Sequence, residues 1–370
     1  MGCPRADLAA GHRRRPLRAR RRRRGLTHQV TVSLSGAVVG DRVVVRYLLG
    51  STTPADWRGN PDAAQSDVTG ILVDDADPLR LERDGEVVSI PVATVTSVRL
   101  LSARPVRNRE IRTLEEAAAR AWPGVETAWI AGWFLRAGLG FTRRANSAVP
   151  LDMSAHPDAT TLQRIARWYA DRDLPPLLAL PDRLMKASTI GGVEDIEVQT
   201  LTCDLASLTE RLADSRSDAV RLADEPDAAW LDAYAGHRAD ADTDVVRQVV
   251  TAGDEPLVFA SIDAGGTAAA IGRGIVTQAA DGRKWLGLSA LWTDPARRRA
   301  GLSTQVLAEL VAWGAENDAD AACLQVETTN RSAGAWYRRL GFGLHHAYRY
   351  LTPEIPSTDI PTEDIPTEDH

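Results

Sequence analysis

Three apolar segments at 257–262, 268–277 and 284–292 stand close together, separated only by the turn-forming runs Asp263-Ala-Gly-Gly266 and Asp281-Gly282. Gly and Asp tolerate the positive φ that tight hairpins need, so the three segments are expected to form an antiparallel meander. The period then changes: an amphipathic helix over 301–317, a strand at 322–327, a helix over 332–340 and a strand at 344–350. Strands joined through a helix run parallel, because the helix carries the chain back to the end of the sheet it left. The pattern therefore demands one mixed sheet, antiparallel at its start and parallel further on. A short strand near 220–222 and helices at 227–235 and 242–251 precede it, giving the order β, α, α, β, β, β, α, β, α, β over 217–351.

Where the meander meets the crossover, Leu291-Trp-Thr-Asp-Pro295 closes a strand, and Arg297, Arg298 and Arg299 follow at the mouth of a helix. A helix start already bears about half a positive charge from aligned peptide dipoles and unpaired N–H groups, so cations there are mildly destabilising. Two readings fit. The arginines form a solvated basic helix end, or an anionic ligand resolves the conflict, with Gly301 admitting it to the backbone and the first-turn amides cradling a phosphate. Ligands also tend to bind where strand order changes sense.

The 370 residues exceed one ordinary domain, and 44% hydrophobic with 25% charged residues is the balance of a folded globular chain. Residues 29–104 hold short β segments at 43–47, 68–73, 79–83 and 86–90, with Asp84-Gly85 as a hairpin turn and Gly59-Asn-Pro-Asp62 in a long loop. They predict a small Src-homology-3-like β-barrel with a structural or partner-binding role. Residues 105–205 read as α+β. We expect a helix over 113–121 with Thr113 as N-cap and Glu116 at the capping-box position, and two strands within 129–149 joined at Gly138-Leu-Gly140. A helix over 161–171 and a short apolar segment at 174–180 follow. Residues 206–352 hold the mixed-sheet domain, and the Pro-punctuated polar repeats of 353–370 predict a disordered tail.

The first 25 residues hold ten Arg and one Asp, which leaves −15 on the rest of a chain whose net charge is −6. We read residues 1–28 as an extension from a mis-set start near Leu26 to Val30, because no apolar run follows the tract; a nucleic-acid or membrane-surface arm is the alternative. The acidic remainder offers no broad face for nucleic acid, so none is expected as a partner. No stretch approaches the roughly 20 apolar residues that span a bilayer, and no membrane partner is expected. Cys3, Cys203 and Cys323 show neither disulfide nor metal-ligand spacing, which fits a cytoplasmic protein. His345 and His346 are expected on opposite faces of a strand, a poor metal pair.

Three blocks together resemble the acetyl-CoA motif set of the GNAT superfamily of N-acetyltransferases. They are Arg298-Arg-Ala-Gly301-Leu-Ser303 after Leu291-Trp-Thr-Asp-Pro295, then Leu324-Gln-Val-Glu-Thr-Thr-Asn330, then Ala335-Trp-Tyr-Arg-Arg-Leu-Gly-Phe342. The resemblance covers 217–351 and implies a GNAT fold, acetyl-CoA as cosubstrate and no metal. It puts the pyrophosphate on the amides of Arg298, Arg299, Ala300, Gly301, Leu302, Ser303 and Thr304, with arginine side chains offsetting its charge. Leu291, Trp292 and Thr293 would present a strand edge to the pantetheine and thioester, one N–H there stabilising the oxyanion. Asn330 matches the family's cofactor-contacting Asn. Tyr337 matches the Tyr near the sulfur, where a phenol serves as general acid for the departing thiolate; its other reading is a core aromatic beside Phe342. Some relatives carry a Glu at the position of Gln325. Glu327, two residues on and so on the same strand face, is the remaining candidate base, with a surface carboxylate as its alternative. Ser303 stands where relatives usually have Gly or Ala.

Region 105–205, through Arg143-Arg-Ala-Asn-Ser-Ala-Val149 and 168–180, resembles the first part of actinobacterial tandem proteins that join a small barrel to GNAT-like units, some described as N-acetylglutamate synthases. It lacks an Arg-x-x-Gly-x-Gly block of its own, so it is expected to be a degenerate GNAT-like unit that shapes the acceptor pocket. The implied reaction moves acetyl to a primary amine of a small molecule by direct attack, with a glutamate-like amino acid among the candidate acceptors. The alternative is a non-catalytic acyl-CoA sensor with the barrel as its interaction module. The acceptor and the oligomeric state stay open.

Overall fold

The computed structural model describes residues 37–60, 62–102, 105–236, 242–253 and 255–355. The Arg-rich extension and most of the expected tail lie outside these residues. Strands β1 (Arg42–Leu48), β2 (Gln65–Asp74), β3 (Leu79–Arg83), β4 (Glu86–Ile90) and β5 (Val95–Leu100) form an antiparallel sheet in the order β4-β3-β2-β1-β5. Alternate residues Val43, Val45 and Tyr47 turn inward and join Leu72, Leu79, Leu81 and Ile90 in a core of their own. Asp84 and Gly85 take φ of 52° and 83°, as the hairpin reading requires. Among the described residues no ladder joins β4 to β5, so the expected barrel is an open sheet in its strand pairing.

The second region departs from expectation at two places. Helix α1 (Asn108–Ala121) starts well before Thr113. Glu110 accepts the N–H of Arg107 at 2.8 Å at the true start, while the Thr113 hydroxyl donates back to the carbonyl of Arg109 at 2.8 Å, which satisfies it inside the helix. The hairpin of β6 (Glu126–Ile130) and β7 (Trp133–Ala137) turns at Ala131-Gly132, with φ of 47° and 81°; Gly138-Leu-Gly140 follows β7 instead. Next come β8 (Val149–Pro150), α2 (Ala159–Ala170), β9 (Leu178–Pro181), β10 (Gly192–Asp204) and α3 (Leu205–Leu212).

The remaining elements are β11 (Val220–Ala223), α4 (Ala228–Ala235), α5 (Thr243–Thr251), β12 (Leu257–Asp263), β13 (Ala268–Gln278), β14 (Lys284–Thr293), α6 (Leu302–Glu316), β15 (Ala321–Glu327), α7 (Arg331–Arg339) and β16 (Gly343–Pro353). They follow the order read from sequence. The large sheet runs β11-β12-β13-β14-β15-β10-β16-β9, antiparallel through β14, with β14 and β15 parallel. Strand β10 is antiparallel to both β15 and β16 and lies between them, so residues on both sides of position 205 build one sheet.

Helix α6 packs on one face of this sheet and α1 and α4 on the other, which is why β13 is buried along nearly its whole length. Gly272 permits the close approach of α6, since a Cβ there would sit 2.8–2.9 Å from Val306, Leu291 and Leu310. Arg338 of α7 and Asp41, paired at 3.3 Å, tie this domain to the N-terminal sheet.

Candidate functional site

A β-bulge opens the site. Between Ile271 and Arg273 the β13–β14 register shifts, and Ala290 takes φ of 53°, so the end of β14 bends. The parallel ladder to β15 then holds only from Trp285 to Leu288. Beyond that point β15 keeps its pairing with β10, and β14 parts from it. The edge of β14 facing β15 is left with backbone groups outside any ladder over 289–293.

A cavity of about 620 Å³ occupies the split. Residues 289–292, 324–327, Asn330, Ala333 and Tyr337 line it, as do Trp122 and residues 142–144 from the earlier region, Tyr234 from α4, and Tyr348 and Tyr350 from the last strand. Tyr337 is 8% exposed, and its ring meets Trp336 and Phe342 at centroid distances of 4.9 and 5.8 Å. Burial pushes its phenol up to about 12 against the nearby Arg144 charge, so it stays protonated at neutral pH. Asn330 caps α7, its Oδ1 accepting the Ala333 N–H at 3.3 Å. Glu327 stands exposed at the cavity wall, 4.0 Å from Arg143, which also pairs with Asp195 at 3.0 Å.

The loop beyond β14 makes one short helical turn at Pro295–Arg297, in which Asp294 Oδ1 accepts the Ala296 N–H and its other oxygen lies 3.5 Å from Arg297. Arg299 and Gly301 then take φ of 64° and 82°. The amides of Thr304 and Gln305 both donate to the Gly301 carbonyl at the start of α6. The hydroxyls of Thr293 and Ser303 are 2.5 Å apart, fastening the first turn of α6 to the end of β14.

Residues 108–351 match the family model described as "Probable histone acetyltransferase Rv0428c C-terminal". A Mycobacterium tuberculosis protein named probable histone acetyltransferase Rv0428c is 38% identical over 325 residues, which are 87% of this chain and 97% of that protein. The chain belongs to this acetyltransferase family, within the GNAT superfamily. A Bacillus subtilis protein named uncharacterized N-acetyltransferase YobR is 27% identical over 256 residues, 65% of this chain and 98% of its own length. Among solved structures, a GCN5-related N-acetyltransferase from Kribbella flavida superposes with a TM-score of 0.47 at 18% identity, covering 67% of this chain and 96% of its own.

Of the GNAT residues expected from sequence, Leu291, Trp292, Glu327, Asn330 and Tyr337 share the cavity. Thr293 is buried beside Ser303, and Arg298, Arg299, Ala300 and Gly301 are exposed on the loop. The Thr304 N–H donates to the Gly301 carbonyl in the first helical turn. The histidine reading is corrected. A bulge skips His345 in the β10–β16 register, bringing its Nδ1 within 2.8 Å of His346 Nδ1. His346 Nε2 in turn lies 2.8 Å from the buried Glu115, to which the Thr200 hydroxyl donates at 3.2 Å. Among the described residues no group of three His, Cys, Asp or Glu is placed to hold a metal ion, and no helix is long and apolar enough to cross a membrane.

The sequence did not single out Trp122, Tyr234, Tyr348 and Tyr350. Their only signal is the period-two aromatic alternation of Tyr348 and Tyr350 on the last strand, which also describes a core. Arg144 lay in the segment expected to shape the acceptor pocket, without a role of its own.

Proposed function

We propose that the chain transfers acetyl from acetyl-CoA to a primary amine by direct attack. The parting of β14 from β15 supports this reading most, because it leaves an extended edge of free backbone groups beside a protonated phenol. Acetyl-CoA would supply an activated acyl group. The amides of 298–303 would take its pyrophosphate, helped by the side chains of Arg298 and Arg299. Gly301 fits that task, as an added Cβ would meet nothing within 4 Å and project into the space an anion needs. The β14 edge at Leu291, Trp292 and Thr293 would hold the pantetheine chain and give one N–H to the developing oxyanion. Tyr337 would give its proton to the leaving thiolate, while Glu327 at the cavity wall accepts the amine proton directly or through water. Asn330, also on the wall, would contact the cosubstrate. We place this activity in the cytoplasm.

The test is thiol release from acetyl-CoA by the full chain across a panel of amino acids, simple amines and lysine-bearing peptides, the last included because the mycobacterial relative is named for histones. Release with at least one amine class is expected. Tight CoA binding with no release across the panel would refute catalysis and favour the acyl-CoA sensor.

A further inference from the structure

The wall of the cavity carries one arginine, Arg144, that no carboxylate among the described residues pairs with. Arg144 reaches its wall from the segment after β7. Its Nε is sealed from solvent and has no hydrogen-bond partner, and its guanidinium lies 5.6 Å from the centre of the Trp122 ring. Arg273, fully buried on β13, lies 4.8 Å from the same ring. Carbonyls of Val250 and Ala121 accept from it at 2.7 and 2.9 Å, yet its Nη2 is also unpartnered.

Besides its own desolvation, the groups that bear on the Arg144 charge are the phenols of Tyr348, Tyr350 and Tyr234, with Tyr348 hydrogen-bonded to it. Carboxylates nearby are committed elsewhere. Glu327, the one carboxylate of the cavity wall, sits beside Arg143, and Asp195 pairs with Arg143 as well. Glu115 is held by His346 and Thr200, and its charge serves Arg136. Arg144 is only partly buried and opens on the cavity, and among the described residues no carboxylate pairs with it, so a carboxylate entering there would meet the fork its planar guanidinium matches.

The phosphate cradle does not supply such a partner. Trp122 and Tyr234 belong to the core on the α4 face of the sheet, whereas Tyr337 and α6 belong to the opposite core. The cavity joins the two through the split, and the Arg144 charge is felt at Tyr337.

The geometry points to an acceptor that carries a carboxylate beside its amine, docked on Arg144 against Trp122 and the tyrosines, so that a small amino acid is favoured over an amine without an acid group. This rests on the acyl-transfer reading, and the tests separate the two. Thiol release is measured for amino acids and their decarboxylated counterparts with the native chain, Arg144→Gln and Arg144→Lys. Loss of a hydrogen bond to a charged partner corresponds to roughly ten- to a hundredfold. The native chain should favour the amino acid in kcat/KM by at least about that range, Arg144→Gln should bring the ratio close to one, and Arg144→Lys should keep part of it. Binding of N-acetylamino acids and matched N-acetylamines is measured by calorimetry on the same proteins, with CoA affinity and thermal midpoint confirming that each is folded. Equal affinity for the two product classes, or an amino-acid preference untouched by Arg144→Gln in a folded protein, overturns the inference. Absence of thiol release with a retained, Arg144-dependent carboxylate preference in binding supports the inference and removes only the catalytic reading.

Discussion

Replacing Tyr337 by Phe separates a catalytic phenol from a core aromatic. The Tyr337 hydroxyl has no hydrogen-bond partner among the described residues, and the ring contacts with Trp336 and Phe342 survive the change. The variant therefore loses no intramolecular hydrogen bond, and its stability should stay within about 0.5 kcal/mol of the native chain. Turnover should behave differently. A general acid contributes on the order of 10²–10⁴ in rate, and a thiolate, being a weak base, draws the low end of that range. We expect kcat to fall about 100-fold, or about 2.7 kcal/mol in the barrier, with little change in CoA affinity. Stopped or continuous thiol-release assays read the rate, and calorimetry reads the affinity and the thermal midpoint. Because burial raises the phenol to about 12, no alkaline loss of activity between pH 7 and roughly 10 should trace to its ionisation. Unchanged kcat in a folded Tyr337→Phe protein would falsify the acid assignment and leave Tyr337 a packing residue.

Gly301→Ala should cost about 1 kcal/mol of stability from its left-handed φ, and Gly301→Asp should abolish CoA binding by calorimetry; undiminished CoA affinity would remove the cradle. Gly272→Val drives side-chain atoms into Val306, Leu291 and Leu310 and should destabilise by about 1–3 kcal/mol in chemical denaturation, with less than 0.5 kcal/mol refuting the close-packing account. Burial pushes the Glu115 carboxyl up, but the His346 hydrogen bond and charge, with Arg136 and Thr200, outweigh it and leave the group below its ordinary value. A depressed carboxylate stabilises the fold above its unfolded pKa of about 4.3 and loses that contribution as pH falls through the folded value, so Glu115→Gln should flatten the acid limb of stability below about pH 4.3. An acid limb identical to that of the native chain would show that Glu115 does not contribute to it.

Much of the fold is legible because it is local. Asp84-Gly85 needs positive φ at both turn positions, and the change from period two to period 3.6 after Thr293 announces the crossover without reference to the rest of the chain. The motif residues at Arg298 to Ser303, Asn330 and Tyr337 are legible for the same reason, since their spacing follows from one strand–helix turn and one helix. Errors arose where a tertiary partner outweighed a local signal. Thr113 reads as a cap until its hydroxyl is seen bonded within a helix that Arg107 and Glu110 begin. His345 and His346 alternate only while the ladder is regular, and the bulge opposite Thr200 and Leu201 ends that.

By itself the sequence determined the order of elements in 217–351, the mixed sense of the sheet and the place of the loop proposed to bind an anion, because each depends on backbone preferences within a few residues. Tertiary structure alone decided that β10 enters the sheet between β15 and β16. Polar Gln199 and Thr200 hide that strand in the sequence, and their burial is tolerated only once ladders on both sides and Glu115 satisfy them. It also decided the character of the proposed acceptor pocket. Trp122, Arg144, Tyr348 and Tyr350 are far apart along the chain, and only the packing of α1 and the segment after β7 against the split sheet gathers their charge and aromatic surface around one cavity.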